Sequence, residues 1–143
     1  MNNVTIEPQT GHVNLSPLMF HEYAIQYLLC MRSFTVNISY SPVPYFLLCR
    51  AIELELKANQ LESKSRMQVQ TLYGHNLQKL YEDLPHIQKI LDKEECKVLV
   101  HASNIYNKPK GFEYVSVYDA VTGMKNFPEL DVLEQIARKL IGK

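Results

Sequence analysis

The sequence has no CxxC pair, no HxxxH or HxH pair and no net charge, and each lack removes a class of function. Its three cysteines, Cys30, Cys49 and Cys96, are odd in number and widely spaced among apolar neighbours. That pattern predicts reduced thiols buried as small hydrophobes. The five histidines, His12, His21, His75, His86 and His101, lack zinc-ligand spacing, so neither a metal nor a cofactor is expected. Fifteen Lys and Arg balance fifteen Asp and Glu. This balance argues against a strongly basic nucleic-acid coat or an acidic solvating tail, while leaving room for a local patch.

Charge is scarce in the first third, where residues 1–50 hold only Glu7, Glu22, Arg32 and Arg50. A helix there has few charges to present to water and is expected to be buried on most sides. The longest uncharged run, Ser33 to Cys49, contains Asn37, Ser39, Ser41, Pro42 and Pro44. It is unsuited to a bilayer span, which takes about 20 apolar residues. The N-terminus shows no secretory pattern, so a cytosolic, non-membrane protein is expected. With 143 residues, 46% hydrophobic and 21% charged, the chain has the length and composition of one globular domain.

What is present is mostly helical pattern. Residues 1–14 lack a clear period and read as an extended or disordered lead. Ser16-Pro17 opens a helix of about 17–38, and Ser41-Pro42 opens a second of about 42–63. The second repeats Phe46, Cys49, Ile52, Leu56 and Asn59 at spacings of three and four, with Glu53, Glu55, Lys57 and Glu62 largely off that stripe. Segment 62–72 reads as a loop or as a helical continuation. A short helix follows Tyr73-Gly74-His75-Asn76 and stops at Pro85, and 86–91 has room for one more turn. Asp92 caps a helix of about 93–106, broken by Asn107-Lys-Pro-Lys-Gly111. Residues 112–118 read as an extended loop packed on the bundle, and a last helix spans about 128–141. The expected fold is all-α, an up-and-down bundle of four to five main helices in a single domain over residues 1–143.

Polar residues within this frame carry two readings each. Glu53 and Lys57 stand four apart, an exposed pair worth about 0.3–0.5 kcal/mol or, alternatively, a ligand contact in the groove between helices. His75 sits at a helix start, where it satisfies a local backbone group or packs on Tyr73, or else helps to seat a phosphate. His101, Asn104 and Lys108 line either a solvated helix face or a polar cleft. Lys108 and Lys110 beside Phe112, Tyr114 and Tyr118 combine cations with stacking surfaces, the ingredients of single-strand nucleic-acid binding, but equally anchor a loop.

Two phrases resemble a known family. Phe46-Leu-Leu-Cys-Arg50-Ala-Ile-Glu53-Leu-Glu-Leu-Lys57-Ala58 resembles the AIELxLKA helix of HEPN domains, and Tyr73-Gly-His75-Asn-Leu-Gln-Lys-Leu80 resembles their GHxLxxL helix start. Asn107-Lys-Pro-Lys-Gly-Phe-Glu-Tyr114 is similar to a loop that some members place after the fourth helix. The resemblance implies a helical bundle, often homodimeric, working in RNA cleavage, toxin–antitoxin pairs, phage defence or as a companion of nucleotidyltransferases. Its catalytic branch carries an Arg-x(4–6)-His motif. Here neither Arg50 nor Arg66 has a His at that spacing; eight residues separate Arg66 from His75, across a helix break. The ribonuclease mechanism is therefore not carried over.

The resulting expectation is a non-catalytic, HEPN-like binding and dimerisation module that contacts a nucleotide, RNA or a partner protein in a stress, defence or toxin–antitoxin setting. Arg50, Glu53, Lys57, His75, His101, Asn104, Lys108 and Tyr114 are the candidate ligand-binding residues, with no catalytic residue assigned. The alternative is a metal-independent ribonuclease with a non-standard site drawing on His75, His101, Arg50 or Lys108.

Overall fold

The second helix is the axis of the molecule. In the computed structural model, residues 15–35, 41–108, 111–112, 116–122 and 125–142 are described. They form α1 (Ser16–Ser33), α2 (Val43–Gln60), α3 (Arg66–Tyr73), α4 (Leu77–Glu82), a 3-10 turn (His86–Gln88), α5 (Lys93–Tyr106), α6 (Val117–Val121) and α7 (Leu130–Ile141). Among the described residues there is no strand, and the fold is an all-α helical bundle. Among the described residues the expected four to five main helices become seven α-helices, because α3 and α6 form as short separate pieces. The first helix, expected to run to about 38, stops at Ser33, where Phe34 turns extended. The N-terminal lead, residues 36–38 and Tyr114 lie outside the described residues.

α2 packs against α1, α7, α4 and α5, most extensively against α1. Being surrounded, it buries residues on every side: Leu48, Ile52 and Leu56, but also Ala51, Leu54 and Ala58. Each large aliphatic side chain so buried contributes about 1.5–3 kcal/mol. The amphipathic reading of this helix is corrected, since Glu53 and Glu55 are buried too, while Phe46 of the supposed core stripe is exposed.

The converse correction applies to α1. Only Ala24 and Leu28 are buried in it, and Leu18, Met19, Tyr23 and Leu29 remain exposed. A charge-poor helix is not thereby an interior one. α1 lies against α2, with a smaller contact to α7, and so its outer face stays uncovered.

Local signals set the shorter elements. The segment after α2 turns and then enters α3 through a capping box, in which Ser65 and Gln68 bond each other's backbone N–H. Asp92 and Glu95 do the same for α5. Buried Glu95 also accepts from Gln135 Nε2 at 2.9 Å and Lys139 Nζ at 2.8 Å, tying α5 to α7. Part of the expected extended loop is helical instead: Ser116 and Asp119 exchange hydrogen bonds at the start of α6. Phe112 anchors the chain before α6, fully buried and stacked on Tyr45 at 5.5 Å between ring centroids. At its far end α7 stops on Gly142, whose φ of 81° is the left-handed cap that favours glycine.

Among the described residues, no helix is long and apolar enough to cross a membrane. All three cysteines are free thiols; Cys49 is buried and Cys96 half-buried, but Cys30 is exposed, contrary to the burial expected for all three.

Candidate functional site

The site is built around a carboxylate with no access to water. Arg50, Glu53 and Lys57 occupy successive turns of α2, and the Glu53 side chain is fully buried. Its Oε2 accepts from Arg50 Nη1 and lies 3.4 Å from Lys57 Nζ. Its Oε1 meets His75 Nδ1 at 2.6 Å. A charge taken out of water is tolerated only with such partners, and Glu53 has three. The exposed Glu53–Lys57 pair considered from the sequence is thus replaced by a buried hub.

His75 reaches that hub because the α3–α4 turn is held from both ends. Gly74 adopts a φ of 53°, a conformation that other residues rarely take, and reverses the chain after α3. Asn76 caps α4 by accepting from Lys79 N at 3.0 Å. Ser103 of α5 donates to Asn76 Oδ1 and accepts from Gln78 N, pinning the start of α4 to α5. With Nδ1–H donating to Glu53, the imidazole keeps Nε2 for an outside partner, and 63% of the side chain is exposed.

Aromatic rings close the back of the hub. Tyr106 of α5 meets the His75 ring edge-on at 5.9 Å, and the Arg50 guanidinium lies 6.0 Å from the Tyr27 ring centroid. Burial pushes the Tyr106 phenol up, with the Glu53 charge adding to it, so the group stays protonated. Burial works against the Arg50 charge, yet Glu53 and Tyr106 outweigh it and its pKa is raised. The guanidinium is a permanent cation here.

A cavity of about 450 Å³ opens beside these groups, with Phe20, Arg50, Lys57, Arg66, Gln70 and His75 on its wall. Three cations, Arg50, Lys57 and Arg66, face it, the first two held by the buried Glu53 carboxylate. Among the described residues, Arg66 has no ion-pair partner of its own. Such a cavity attracts anions, and its donors suit phosphate or carboxylate oxygens.

The structure thus brings together Arg50, Glu53, Lys57 and His75. It does not bring in His101, Asn104 or Lys108, which are exposed on α5 or just beyond it, away from the cavity wall. Tyr114 lies outside the described residues. Arg66 and Phe20 were not picked out as site residues from the sequence. The Ser65–Gln68 capping box was the signal that would have placed Arg66 at a helix start.

A second histidine–carboxylate pair joins α1 to α2, its carboxylate two residues beyond Glu53. His21 Nδ1 lies 2.7 Å from Oε2 of buried Glu55. Burial raises the Glu55 carboxyl, and His21 offsets only part of that. Among the described residues, no group of three or more His, Cys, Asp or Glu side chains could hold a metal ion. Comparison with protein-family models, curated proteins and solved structures found no match for this chain.

Proposed function

We propose that the chain is a HEPN-like, non-catalytic module that binds a phosphate-bearing ligand in the cavity beside α2 and pairs with a second copy of itself. One observation carries the binding reading: buried Glu53 holds Arg50, Lys57 and His75 together at a cavity that Arg66 also faces. Pre-positioned cations lose little entropy on binding an anion, which favours recognition. The outer face of α1, with Leu18, Met19, Tyr23 and Leu29 exposed, supports pairing. Action in the cytosol, within a stress, defence or toxin–antitoxin setting, belongs to the same proposal.

The second reading, a metal-independent ribonuclease, has one observation in its favour. The Glu53–His75 pair orients an imidazole beside cations, as a general base for a ribose 2′-hydroxyl requires. Both readings are tested with an end-labelled RNA and with inorganic phosphate, on the wild type, Arg66→Ala and His75→Ala. The binding module leaves the RNA intact, binds phosphate and loses affinity at least about fivefold in either variant, as charge-assisted contacts of this kind imply. RNA cleavage abolished by His75→Ala establishes the ribonuclease instead. Equal binding by all three proteins overturns the assignment of the cavity.

A further inference from the structure

His75 meets the buried hub with one ring nitrogen and the cavity with the other. Nδ1 lies 2.6 Å from Oε1 of Glu53, a carboxylate whose second oxygen already draws Arg50 and Lys57. An ionised carboxylate only accepts, so Nδ1 carries a proton. The ring is then either neutral, with Nε2 as an acceptor, or an imidazolium, with Nε2 as a donor. His75 lines the cationic cavity with 63% of its side chain exposed, which leaves Nε2 to a ligand there. Around the ring, Arg50 and Lys57 of α2 and Arg66 of α3 are cations, and Glu53 is the counter-charge of the first two. The Tyr106 phenol of α5 stays protonated because burial pushes it up, and Lys79 of α4 turns to the Tyr73 ring at 5.8 Å. From α1 the wall receives Phe20, which carries no charge. The imidazole is the group of this wall whose charge changes between about pH 5 and 8.

We infer that His75 decides which oxyanion the cavity accepts: the contact between Nε2 and a ligand oxygen needs one proton, brought by the ring or by the ligand. The inference rests on the phosphate reading above and adds the protonation state in which the anion is taken. Hydrogen phosphate brings its own P–OH and donates it to a neutral imidazole. Sulfate, equal in charge and close in size, has no proton to give, and its oxygen then faces the Nε2 lone pair. It is held once the ring is an imidazolium, so its binding takes up a proton from the buffer onto Nε2. Sulfate affinity is therefore fullest at the acid end and falls as pH rises. A fully ionised phosphate ester behaves as sulfate does.

The test is calorimetric titration of the full chain with sodium sulfate and sodium phosphate. Sulfate is expected to bind at least about tenfold more tightly at about pH 5.5 than at about pH 8, the worth of one hydrogen bond to a charged group. At about pH 8, hydrogen phosphate is expected to bind more tightly than sulfate by a similar factor. His75→Gln keeps a donor for Glu53 and does not titrate, so both ratios fall toward one. In His21→Gln, altered at the other histidine–carboxylate pair, both persist. A further measurement needs no variant: sulfate titrations of the wild type at about pH 7, in two buffers of unlike ionisation heat, should show net proton uptake. Sulfate affinity that is level in pH, equal affinities for the two anions at the higher pH, or binding without proton uptake overturns the inference while leaving the phosphate site standing. So does a pH dependence that survives in His75→Gln or vanishes in His21→Gln. Binding of neither anion at either pH overturns the phosphate reading together with this one.

Discussion

His75 Nδ1 lies 2.6 Å from Oε1 of Glu53, a carboxylate with no solvent exposure from a helix two elements earlier in the chain. Because Oε2 of the same group serves Arg50 and Lys57, one buried charge organises three donors. Glu53 is therefore a structural and an electrostatic centre at once.

Replacing Glu53 with Gln keeps its volume and removes its charge. Arg50 and Lys57 are then left beside each other without a counter-charge, at side-chain exposures of 31% and 12%. Breaking a fully buried pair costs about 3–5 kcal/mol, and the partial exposure of Arg50 lowers the expected loss to about 2–4 kcal/mol. Denaturant midpoints measure it. A loss within experimental scatter of zero contradicts the role given to this residue.

Glu55 predicts a pH dependence. Burial raises its carboxyl above the ordinary 4.5, His21 opposes this, and the Glu62 charge adds to it. The folded protein therefore holds this proton more tightly than the unfolded chain does. Its contribution to stability is complete below about 4.5 and is lost as pH rises through the raised value. Glu55→Gln removes the titration. The stability of the variant relative to the wild type should thus climb as pH rises above 4.5 and then level off. A constant difference over that range contradicts the prediction.

The thiols should separate by accessibility. Cys30 is exposed, whereas burial pushes the Cys49 thiol up, with the Glu53 charge adding to it. Burial raises Cys96 as well. A chromogenic disulfide reagent at neutral pH should therefore modify Cys30 fast, Cys96 slowly and Cys49 only after unfolding. Cys30→Ser should abolish the fast phase.

The aromatic residues around α6 should divide in the same way. Phe112 is fully buried and lies 5.5 Å from Tyr45 and 5.4 Å from Phe127 between ring centroids. Phe112→Ala should cost about 3–5 kcal/mol. Tyr118 is 60% exposed, and Tyr118→Ala should stay within about 0.5 kcal/mol of wild type. Thermal or chemical denaturation of the two variants side by side decides between anchoring and a freely presented stacking surface.

Much of the helical layout was legible because its signals are local. Asp92 and Glu95 announce α5 within four residues, Pro85 prevents α4 from continuing, and Asn107 to Gly111 ends α5. Two local signals were passed over: Ser65 with Gln68 before α3, and Ser116 with Asp119 before α6. Of the site, Glu53 and Lys57 were visible as a pair four apart on one helix, Arg50 as a candidate on the same helix, and His75 as a residue at a helix start. Arg66 and Tyr106 joined them only through packing, as did the exclusion of His101, Asn104 and Lys108.

The sequence by itself determined which segments are helices and where most of them stop, since periodicity and capping act over three or four residues. Only the tertiary structure decided which helix is interior. Burial depends on how many neighbours surround a helix, and that number is not written in its own residues. The charge-poor α1 has one extensive neighbour and keeps an apolar face in water, while the charged α2 has four and hides Glu53 and Glu55 among them. A carboxylate with no water must draw its partners from wherever the chain passes, and so the site exists only once the bundle has formed.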